Sequence, residues 1–412
     1  MSLTAITSSP KTQQFIEKEL QYSAHNYHPL PVVLERGEGV YLWDVDGKRY
    51  YDFLSGYSAV NQGHCHPRIV GALVEQAQKL TLTSRAFHSD LLGEFAQYIT
   101  AYFGYDKVLP MNSGVEAVET ALKLARRWGY DKKGIAANRA KIITVAGNFH
   151  GRTLNVVSFS TDPSSRDGFG PFMPGYEVIP YNDLAALKAA LADPDVAGFL
   201  VEPIQGEAGV YVPDEGYLTK AYALCQQANV LFIGDEIQTG LARTGRMLAC
   251  DHEDVRPDIL ILGKALSGGT LPISAVLADD DIMLCIRAGE HGSTYGGNPL
   301  ACKVAIASLE VIKEERLAER SAELGSYFRD RLRALNHPHV KEVRGKGLLN
   351  AIVIAHENPE AAWDLCLALK DNGLLAKPTH GDKIRFAPPL VITRPELDEC
   401  IAIITASLAS LK

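Results

Sequence analysis

The chain has 412 residues, of which 46% are hydrophobic and 22% charged, and its formal net charge is −8 at pH 7. This length is enough for two or three domains with a large buried core. The sequence contains no basic block or Lys/Arg stripe, which argues against nucleic acid as the main partner. No apolar run approaches the roughly 18 residues that a membrane helix needs, so a membrane partner is not expected either.

The N-terminal segment, residues 1–11, has no charged region followed by an apolar core and is not rich in arginine. Neither a secretory signal nor an organellar presequence is expected, so the sequence predicts a cytoplasmic protein. The seven cysteines are odd in number and include no Cys-x-x-Cys pair. Free thiols in a reducing compartment are the simplest interpretation, and no metal site is expected.

Helical and strand patterns alternate through most of the chain. An Asp-Gly pair at Asp46 and Gly47 lies between alternating apolar runs and predicts a β-hairpin over residues 39–53. From about residue 65, helical patterns alternate with uniformly apolar runs, as expected of strands that are covered on both faces. Predicted helices span 67–81, 114–129 and 216–228, and predicted strands span 141–146, 197–202, 230–235, 259–262 and 273–278. Strands separated by helices predict an α/β fold with a mostly parallel, doubly wound sheet.

The C-terminal part of the chain has a different pattern. A long helical stretch over residues 298–336 precedes a smaller α+β unit. That unit has a predicted strand over 341–355, a helix near 359–372, short strands within 375–386 and a last helix from Pro395. We assign residues 61–310 to a large domain, and residues 1–60 and 311–412 to the two segments of a small domain.

Two apolar runs end in residues that suggest covalent cofactor chemistry. The run at 259–262 is followed by Gly263, Lys264 and a loop of small residues, and the run at 230–234 ends in Asp235. An apolar site strips water from an ammonium group and lowers its pKa, which frees the amine to form a Schiff base. Such a lysine, with a carboxylate for a pyridinium nitrogen, is the protein's part of a pyridoxal 5'-phosphate (PLP) site. Taken singly, a lysine or carboxylate at a strand end is usually a solvated or capping residue, so the prediction depends on the combination.

Two segments are candidates for binding the phosphate of such a cofactor. Ser113 and Glu116 match a capping box, which explains this helix start as structure alone. The same helix start, continuing into Gly114, presents backbone N–H groups and the positive end of a dipole to an anion. The segment 292–298 is rich in glycine and hydroxyl residues, so it is either a second phosphate site or a flexible loop.

An aromatic residue and two arginines complete the candidate site. Phe149 follows a predicted strand with His150 as its neighbour, and its ring either packs in the core or stacks on a flat ligand. Arg152 and Arg385 lie among apolar, glycine or proline neighbours, where a guanidinium needs a carboxylate or phosphate partner. Glu207 is a candidate partner, in which case the pair is an internal salt bridge.

Three segments in register resemble class III (ω-) aminotransferases of PLP fold type I. They are Glu202-Pro-Ile-Gln-Gly-Glu-Ala-Gly, Asp235-Glu-Ile-Gln-Thr-Gly-Leu-Ala-Arg-Thr-Gly and Leu262-Gly-Lys-Ala-Leu-Ser-Gly-Gly. The resemblance runs from about residue 20 to the end of the chain without large gaps. Within the class, segments 24–31, 55–64 and 384–390 are similar to the members that act on ornithine.

The resemblance implies a PLP-dependent transfer of the δ-amino group of L-ornithine to 2-oxoglutarate by a ping-pong mechanism. The implied products are glutamate and glutamate 5-semialdehyde, which cyclises to pyrroline-5-carboxylate, and the implied setting is proline and arginine metabolism. A homodimer with shared active sites is also implied.

The resemblance further implies a role for each site residue. Lys264 bonds covalently to the cofactor and then carries the proton, while Asp235 pairs with the pyridine nitrogen. The other implied cofactor-binding residues are Ser113, Gly114, Val115, Phe149, His150, Glu202, Gln238, and Ser293 and Thr294 from the second subunit of the dimer. The implied substrate-binding residues are Tyr27, Tyr57, Arg152, Glu207 and Arg385. His150 departs from the tryptophan expected in eukaryotic relatives.

The implied substrate residues divide the work between two half-reactions. Tyr27 and Arg152 hold the α-carboxylate of ornithine and Tyr57 lines its pocket, which leaves the δ-amine at the cofactor. A free Arg385 would attract that carboxylate and present the wrong amine, so Glu207 masks it until 2-oxoglutarate binds.

Three alternatives remain open at the level of the sequence. The chain could act on N-acetylornithine, 4-aminobutyrate or another ω-amine within the same fold. It could catalyse PLP-dependent racemisation or aminomutation on the same scaffold. It could also bind PLP without catalysis.

Overall fold

The computed structural model of the chain describes residues 9–411, which form three β-sheets connected by helices. The strands are β1 (Leu34–Glu38), β2 (Tyr41–Asp44), β3 (Arg49–Asp52), β4 (Lys107–Met111), β5 (Lys141–Val145), β6 (Tyr176–Ile179), β7 (Val196–Val201), β8 (Leu231–Asp235), β9 (Ile259–Leu262), β10 (Ser274–Ala278), β11 (Val340–Lys346), β12 (Leu349–Ile354), β13 (Leu374–Leu375), β14 (Lys377–Thr379) and β15 (Lys383–Phe386).

The α-helices are α1 (Pro10–Tyr22), α2 (Ser55–Ser58), α3 (Pro67–Lys79), α4 (Asp90–Phe103), α5 (Gly114–Asp131), α6 (Leu154–Val157), α7 (Pro163–Arg166), α8 (Leu184–Ala190), α9 (Tyr217–Gln227), α10 (Asp280–Met283), α11 (Pro299–Glu314), α12 (Leu317–Ala334), α13 (Ala361–Asp371) and α14 (Arg394–Leu408). Single 3-10 turns span Cys250–Glu253 and Lys264–Ser267.

The largest sheet has seven strands in the order β4-β10-β9-β8-β7-β5-β6. Its strands run parallel except that β10 is antiparallel to both β4 and β9. Every residue of β7, β8, β9 and β10 is buried, and their sequences are accordingly apolar except at two strand ends, Asp235 of β8 and Ser274 of β10. The predicted mostly parallel sheet is confirmed, and its five predicted strands match the observed bounds to within one residue.

The two edge strands of this sheet lack the continuous apolar pattern of the central strands. β4 contains Pro110 and begins at the exposed Lys107, and a proline is tolerated at an edge because one side of the strand forms no ladder. β6 at the other edge is only partly buried, so it lacks the continuous apolar run of the central strands. Because neither edge strand has a continuous apolar run, the sequence pattern predicts no strand at β4 or β6.

The carboxyl ends of the parallel strands converge on one edge of the large sheet. β5 leads to Phe149, β7 to Glu202, β8 ends at Asp235 and β9 leads to Lys264. In open α/β sheets this edge is where ligands bind. The fold therefore brings together residues that lie more than a hundred positions apart in the sequence.

One of the other two sheets combines distant parts of the chain, and the third is formed within the C-terminal part. The predicted hairpin is confirmed: β2 and β3 pair antiparallel, with Tyr41 opposite Tyr51, and Gly47 in the turn has a φ of +82°. β13 pairs parallel to β3, with Leu374 opposite Tyr51, so the N- and C-terminal segments share one sheet. The third sheet has the order β11-β12-β15-β14. The domain bounds near residues 60 and 310 remain a prediction.

Two elements that were predicted to be continuous are each divided into two in the structure. The helix predicted over 298–336 is two helices, α11 and α12, because Arg316 takes a left-handed φ of +53° between them. The strand predicted over 341–355 is a hairpin of β11 and β12, which turns at Gly347 with a φ of +54°. A Cβ at Gly347 would overlap the backbone of residues 244–245, so close packing against another segment fixes this turn.

Within residues 9–411 no helix is long and apolar enough to cross a membrane. The seven cysteines are free thiols, as predicted from their odd number and scattered spacing, and all of them except Cys65 are buried.

Candidate active site

Lys264 begins a 3-10 turn directly after β9 and Gly263, and it lines a cavity at the carboxyl edge of the large sheet. Its φ is +43°, a conformation that costs a non-glycine residue free energy and that clusters at functional sites. Burial lowers the pKa of the Lys264 ammonium, against the opposing charges of Glu207 and Asp235. An amine with a lowered pKa is available as a nucleophile nearer to neutral pH.

Asp235 ends β8 and is held by two donors. Its Oδ2 atom accepts a hydrogen bond from Nδ1 of His150 at 2.6 Å, and its Oδ1 atom accepts one from the backbone N–H of Ile237 at 3.1 Å. Asp235 and His150 are both nearly inaccessible to solvent. Burial acts to lower the pKa of His150, but the hydrogen bond and charge of Asp235 outweigh it, and the pKa is raised.

Glu202 follows β7 and is buried at the same edge. Its Oε1 atom accepts a hydrogen bond from the backbone N–H of Phe149 at 2.8 Å, which fixes the start of the loop that carries Phe149 and His150. Burial raises the pKa of Glu202 to about 7, against the opposing charge of His150. The side chains of Glu202, Phe149 and His150 all line the cavity.

The N-terminus of α5 faces this cavity. The predicted capping box is present: Oγ of Ser113 accepts from the N–H of Glu116 at 3.3 Å, and the Glu116 carboxylate accepts from the N–H of Ser113 at 2.7 Å. The N–H groups of Gly114 and Val115 have no intrahelical acceptor at such a helix start, and both residues line the cavity. A Cβ on Gly151 would overlap the Val115 side chain, so only glycine lets the Phe149 loop approach the helix this closely.

Glu207 and Arg385 form a salt bridge at the side of the cavity. The Oε1 atom of Glu207 lies 2.8 Å from Nη1 of Arg385 and also accepts from Nε2 of Gln238 at 3.0 Å. Burial opposes ionisation of Glu207, but the positive charges of Arg385 and Lys264 outweigh it and lower its pKa to about 2. Arg385 is only 3% exposed and lies on β15, whereas Glu207 lies in the loop after β7.

A second arginine lies farther out. Nη1 of Arg152 donates to the Tyr27 hydroxyl at 3.1 Å, and its guanidinium carbon is 5.5 Å from the centroid of the Phe149 ring. Arg152 and Tyr27 are both exposed in the isolated chain. This arrangement is an open, positively charged position next to the cavity, in contrast to the masked Arg385.

Tyr57 approaches Arg385 from the N-terminal segment. The guanidinium carbon of Arg385 is 5.2 Å from the centroid of the Tyr57 ring. All four residues of α2 have positive φ, between +51° and +72°, so this short turn is left-handed and strained. Burial raises the pKa of the Tyr57 phenol, which keeps its hydroxyl protonated.

Ser293 and Thr294 do not line the cavity of the chain that carries them. Oγ of Ser293 accepts from Nδ2 of Asn112 at 2.8 Å, beside the start of α5, and Thr294 is exposed. Their role at the site of a second subunit remains a prediction.

The cavity and its polar groups fit PLP. It encloses about 610 Å³ of space free of protein atoms, including its mouth. Three buried polar atoms around the site have no hydrogen-bond partner within residues 9–411: Nε2 of His150, Oε1 of Gln238 and Nε of Arg385. A polar ligand would satisfy such atoms, whose burial otherwise costs free energy. Six residues predicted to hold the cofactor line this cavity: Gly114 and Val115 would bind the phosphate, Asp235 the ring nitrogen, Phe149 the ring face, Gln238 the phenolic oxygen and Lys264 the aldehyde carbon. These individual roles remain predictions.

Sequence reasoning missed three residues that shape the site. Gly151 and Ile237 line the cavity, and Gly206 accepts a hydrogen bond from Nη1 of Arg385 at 3.2 Å through its carbonyl. A Cβ on Gly206 would overlap the Gln238 side chain, so glycine is required there. Gly206 lies inside a segment already recognised at Glu202–Glu207, but its role depends on a contact that no sequence pattern shows.

The profile of the family described as aminotransferase class-III matches residues 22–408. The chain belongs to the class III aminotransferase family. It is therefore a PLP-dependent enzyme, as the cavity residues suggest. PLP, when bound, withdraws electrons from the carbon that carries the transferred amino group.

Individual relatives agree with the family over nearly the whole chain. The chain is 65% identical to the mitochondrial ornithine aminotransferase of Rattus norvegicus, over 97% of this chain and 91% of the relative. The crystal structure of the ornithine aminotransferase from Toxoplasma gondii is similar with a TM-score of 0.95 and 50% identity, covering 97% of this chain and 95% of that one. The crystal structure of an acetylornithine aminotransferase from Elizabethkingia anophelis is similar with a TM-score of 0.89 and 58% identity, covering 97% and 99%.

The position of Lys264 gives a direct chemical prediction. After incubation with PLP and reduction with borohydride, peptide mapping should find the pyridoxyl group on Lys264, because burial lowers the pKa of this amine. Lys264→Ala should bind PLP without a covalent bond and lose turnover. The matched control is Lys377→Ala, since burial also lowers the pKa of Lys377 but this residue does not line the cavity. Labelling of another lysine in the native chain would contradict the assignment.

Proposed function

We propose that this enzyme transfers the δ-amino group of L-ornithine to 2-oxoglutarate, giving glutamate 5-semialdehyde and glutamate. The single observation that carries the proposal is the salt bridge between Glu207 and Arg385, at 2.8 Å beside the reactive Lys264. The similarity to ornithine aminotransferases at 50–65% identity supports the same conclusion. A place in proline and arginine metabolism follows from the substrate and product.

The geometry explains how one cavity accepts two different substrates. Arg152 and Tyr27 lie at the outer side, where they can bind the α-carboxylate of ornithine and leave its δ-amine directed at Lys264. Arg385 lies beside Lys264 and would draw an α-carboxylate toward the wrong position if its charge were free. Glu207 neutralises it during the first half-reaction. In the second half-reaction, 2-oxoglutarate offers an α-carboxylate to Arg385 and its second carboxylate to Arg152.

Side chains of the protein also move the proton that is transferred during the reaction. The Lys264 amine, whose pKa is lowered by burial, would remove the proton from the carbon that bears the amino group and deliver it two atoms away, on the other side of the nitrogen. Phe149 and Val115 cover the reacting atoms, and the resulting exclusion of water strengthens the charge interactions in the cavity.

N-acetylornithine is the second candidate substrate, because the acetylornithine aminotransferase of Elizabethkingia anophelis is 58% identical. The two substrates differ at the α-nitrogen, which is an ammonium in ornithine and a neutral amide in N-acetylornithine. The Tyr57 hydroxyl, kept protonated by burial, offers a lone pair to an ammonium. We therefore propose that Tyr57 makes the enzyme prefer substrates with a free α-amino group.

The salt bridge gives the sharpest test of this function. Glu207→Ala leaves Arg385 permanently free, so the first half-reaction should slow with ornithine and improve with glutamate. Arg385→Ala should spare the half-reaction with ornithine and impair the one with 2-oxoglutarate by about 2–4 kcal/mol of transition-state free energy. Single-turnover spectroscopy of each half-reaction measures both effects.

The matched control is Glu342→Ala, which removes the carboxylate of an exposed salt bridge with Arg344 at 3.2 Å. This variant should leave both half-reactions unchanged. If Glu207→Ala kept the native preference for the δ-amine over the α-amine, the pair would be structural only and the gating proposal would fail.

We also propose that the enzyme is a homodimer with shared active sites. Thr294 is exposed near the start of α5, and large apolar side chains are exposed on the isolated chain, among them Phe87 at 73% and Tyr295 at 58%. Large apolar side chains exposed to this extent are expected to be covered when a subunit interface forms. Closed two-fold symmetry would place the same loop of each subunit against the other's site.

Complementation of two inactive variants tests the shared site. Lys264→Ala lacks the reactive amine, and Thr294→Glu places a negative charge where the cofactor phosphate is proposed to lie. Hybrid dimers should regain activity, because one of their two sites then combines an intact Lys264 with an intact Thr294 from the other subunit. Absence of recovery in verified hybrids, or a fully active monomer in sedimentation, would contradict the proposal.

The cytoplasmic location predicted from the sequence stays a proposal, and the rat relative is named mitochondrial. Immunoblotting of fractionated source cells, with markers for each compartment, decides between the two locations.

A further inference from the structure

His150 is a fully buried ionisable residue in contact with Asp235, and the proposed function assigns it no task of its own. Its Nδ1 atom lies 2.6 Å from Oδ2 of Asp235, and its side chain is fully buried. Its Nε2 atom has no hydrogen-bond partner within residues 9–411. The ring packs beside Phe159, with centroids 6.0 Å apart. A polar ring placed at this depth, with one nitrogen bonded and one free, is not explained by packing alone.

The contact with Asp235 shows which ring nitrogen of His150 carries a proton. A carboxylate only accepts hydrogen bonds, so Nδ1 of His150 must carry the proton that lies toward Asp235. The charged groups that face His150 are Asp235 from β8 and Glu202 from the end of β7. Both are negative when ionised, so both favour an imidazolium at His150.

Asp235 is thereby held at both of its oxygen atoms. Oδ2 accepts from His150 and Oδ1 accepts from the N–H of Ile237. These two bonds restrain rotation of the carboxylate about its last torsion. Asp235 also lines the cavity, where its carboxylate can accept a further hydrogen bond.

We propose that His150 is a positioning residue that acts through Asp235, holding the carboxylate in the one orientation that pairs with the pyridine nitrogen of PLP. Tryptophan, the residue expected here in eukaryotic relatives, has a single neutral N–H and carries no charge. At this position, the present chain has instead a donor that is able to carry a positive charge beside Asp235. The proposal rests on the family's cofactor and is independent of the ornithine assignment.

The test compares PLP with its 1-deaza analogue, in which a C–H group replaces the ring nitrogen. We expect His150→Leu, which removes the donor, to weaken binding of PLP roughly 10- to 100-fold, the usual effect of losing a charge-assisted hydrogen bond. His150→Asn keeps a neutral N–H near the position of Nδ1 and should recover part of that loss. Because the analogue has no ring nitrogen for Asp235 to pair with, its affinity should change less than about threefold in either variant. Equilibrium titration of the apo-protein gives each dissociation constant without measuring turnover.

The chain offers a matched control in a second His–Asp pair. Nε2 of His64 lies 2.7 Å from Oδ2 of Asp52, and neither residue lines the cavity. His64→Asn should leave the affinities for PLP and for the analogue unchanged. If His150→Asn and His150→Leu weakened PLP and the analogue equally, His150 would have only a structural role and the proposal would be overturned. Unchanged PLP affinity in both variants would overturn it as well.

Discussion

The burial of several charges at one edge of the large sheet is the constraint on which this structure depends. Lys264, Asp235, Glu202 and Glu207 lie there with little access to solvent, and a buried charge is tolerated only with partners. Each carboxylate accordingly accepts a hydrogen bond from a named donor, and burial lowers the pKa of the lysine. The same desolvation that makes these groups costly for folding lowers the pKa of the Lys264 amine and strengthens the attraction between Glu207 and Arg385.

A second buried guanidinium, that of Arg243, lies near Arg385 and binds the segment just after β15. Arg243 is fully inaccessible and binds neutral acceptors: Nε donates to Asn61 at 3.1 Å, and Nη1 donates to the carbonyls of Pro388 at 2.7 Å and Leu348 at 3.1 Å. Burial lowers its pKa to about 9. These bonds join the large sheet to segments from both ends of the chain, including the residues just after β15. Arg243 therefore joins the loop after β8 to the segment that follows β15, the strand that carries Arg385.

Much of this arrangement could be predicted from the sequence because central parallel strands are apolar throughout and end in polar residues. That pattern located Lys264 and Asp235, and the segment Glu202–Glu207 located the partner of Arg385. The pattern could not show that Arg316 interrupts a long helix or that Gly347 turns a hairpin, because both depend on packing between distant segments. It also could not show that His150 donates to Asp235, since the two lie 85 positions apart, one in the loop after β5 and the other at the end of β8.

The central claim is that the δ-amine of free ornithine is the group transferred. The most direct measurement gives the enzyme 2-oxoglutarate with an equimolar mixture of [δ-15N]ornithine and unlabelled N-acetylornithine, and determines the isotope content of the glutamate by mass spectrometry. The account predicts that most of the glutamate carries 15N. Mostly unlabelled glutamate would contradict it, since the amino group would then come from N-acetylornithine or from the α-position of ornithine.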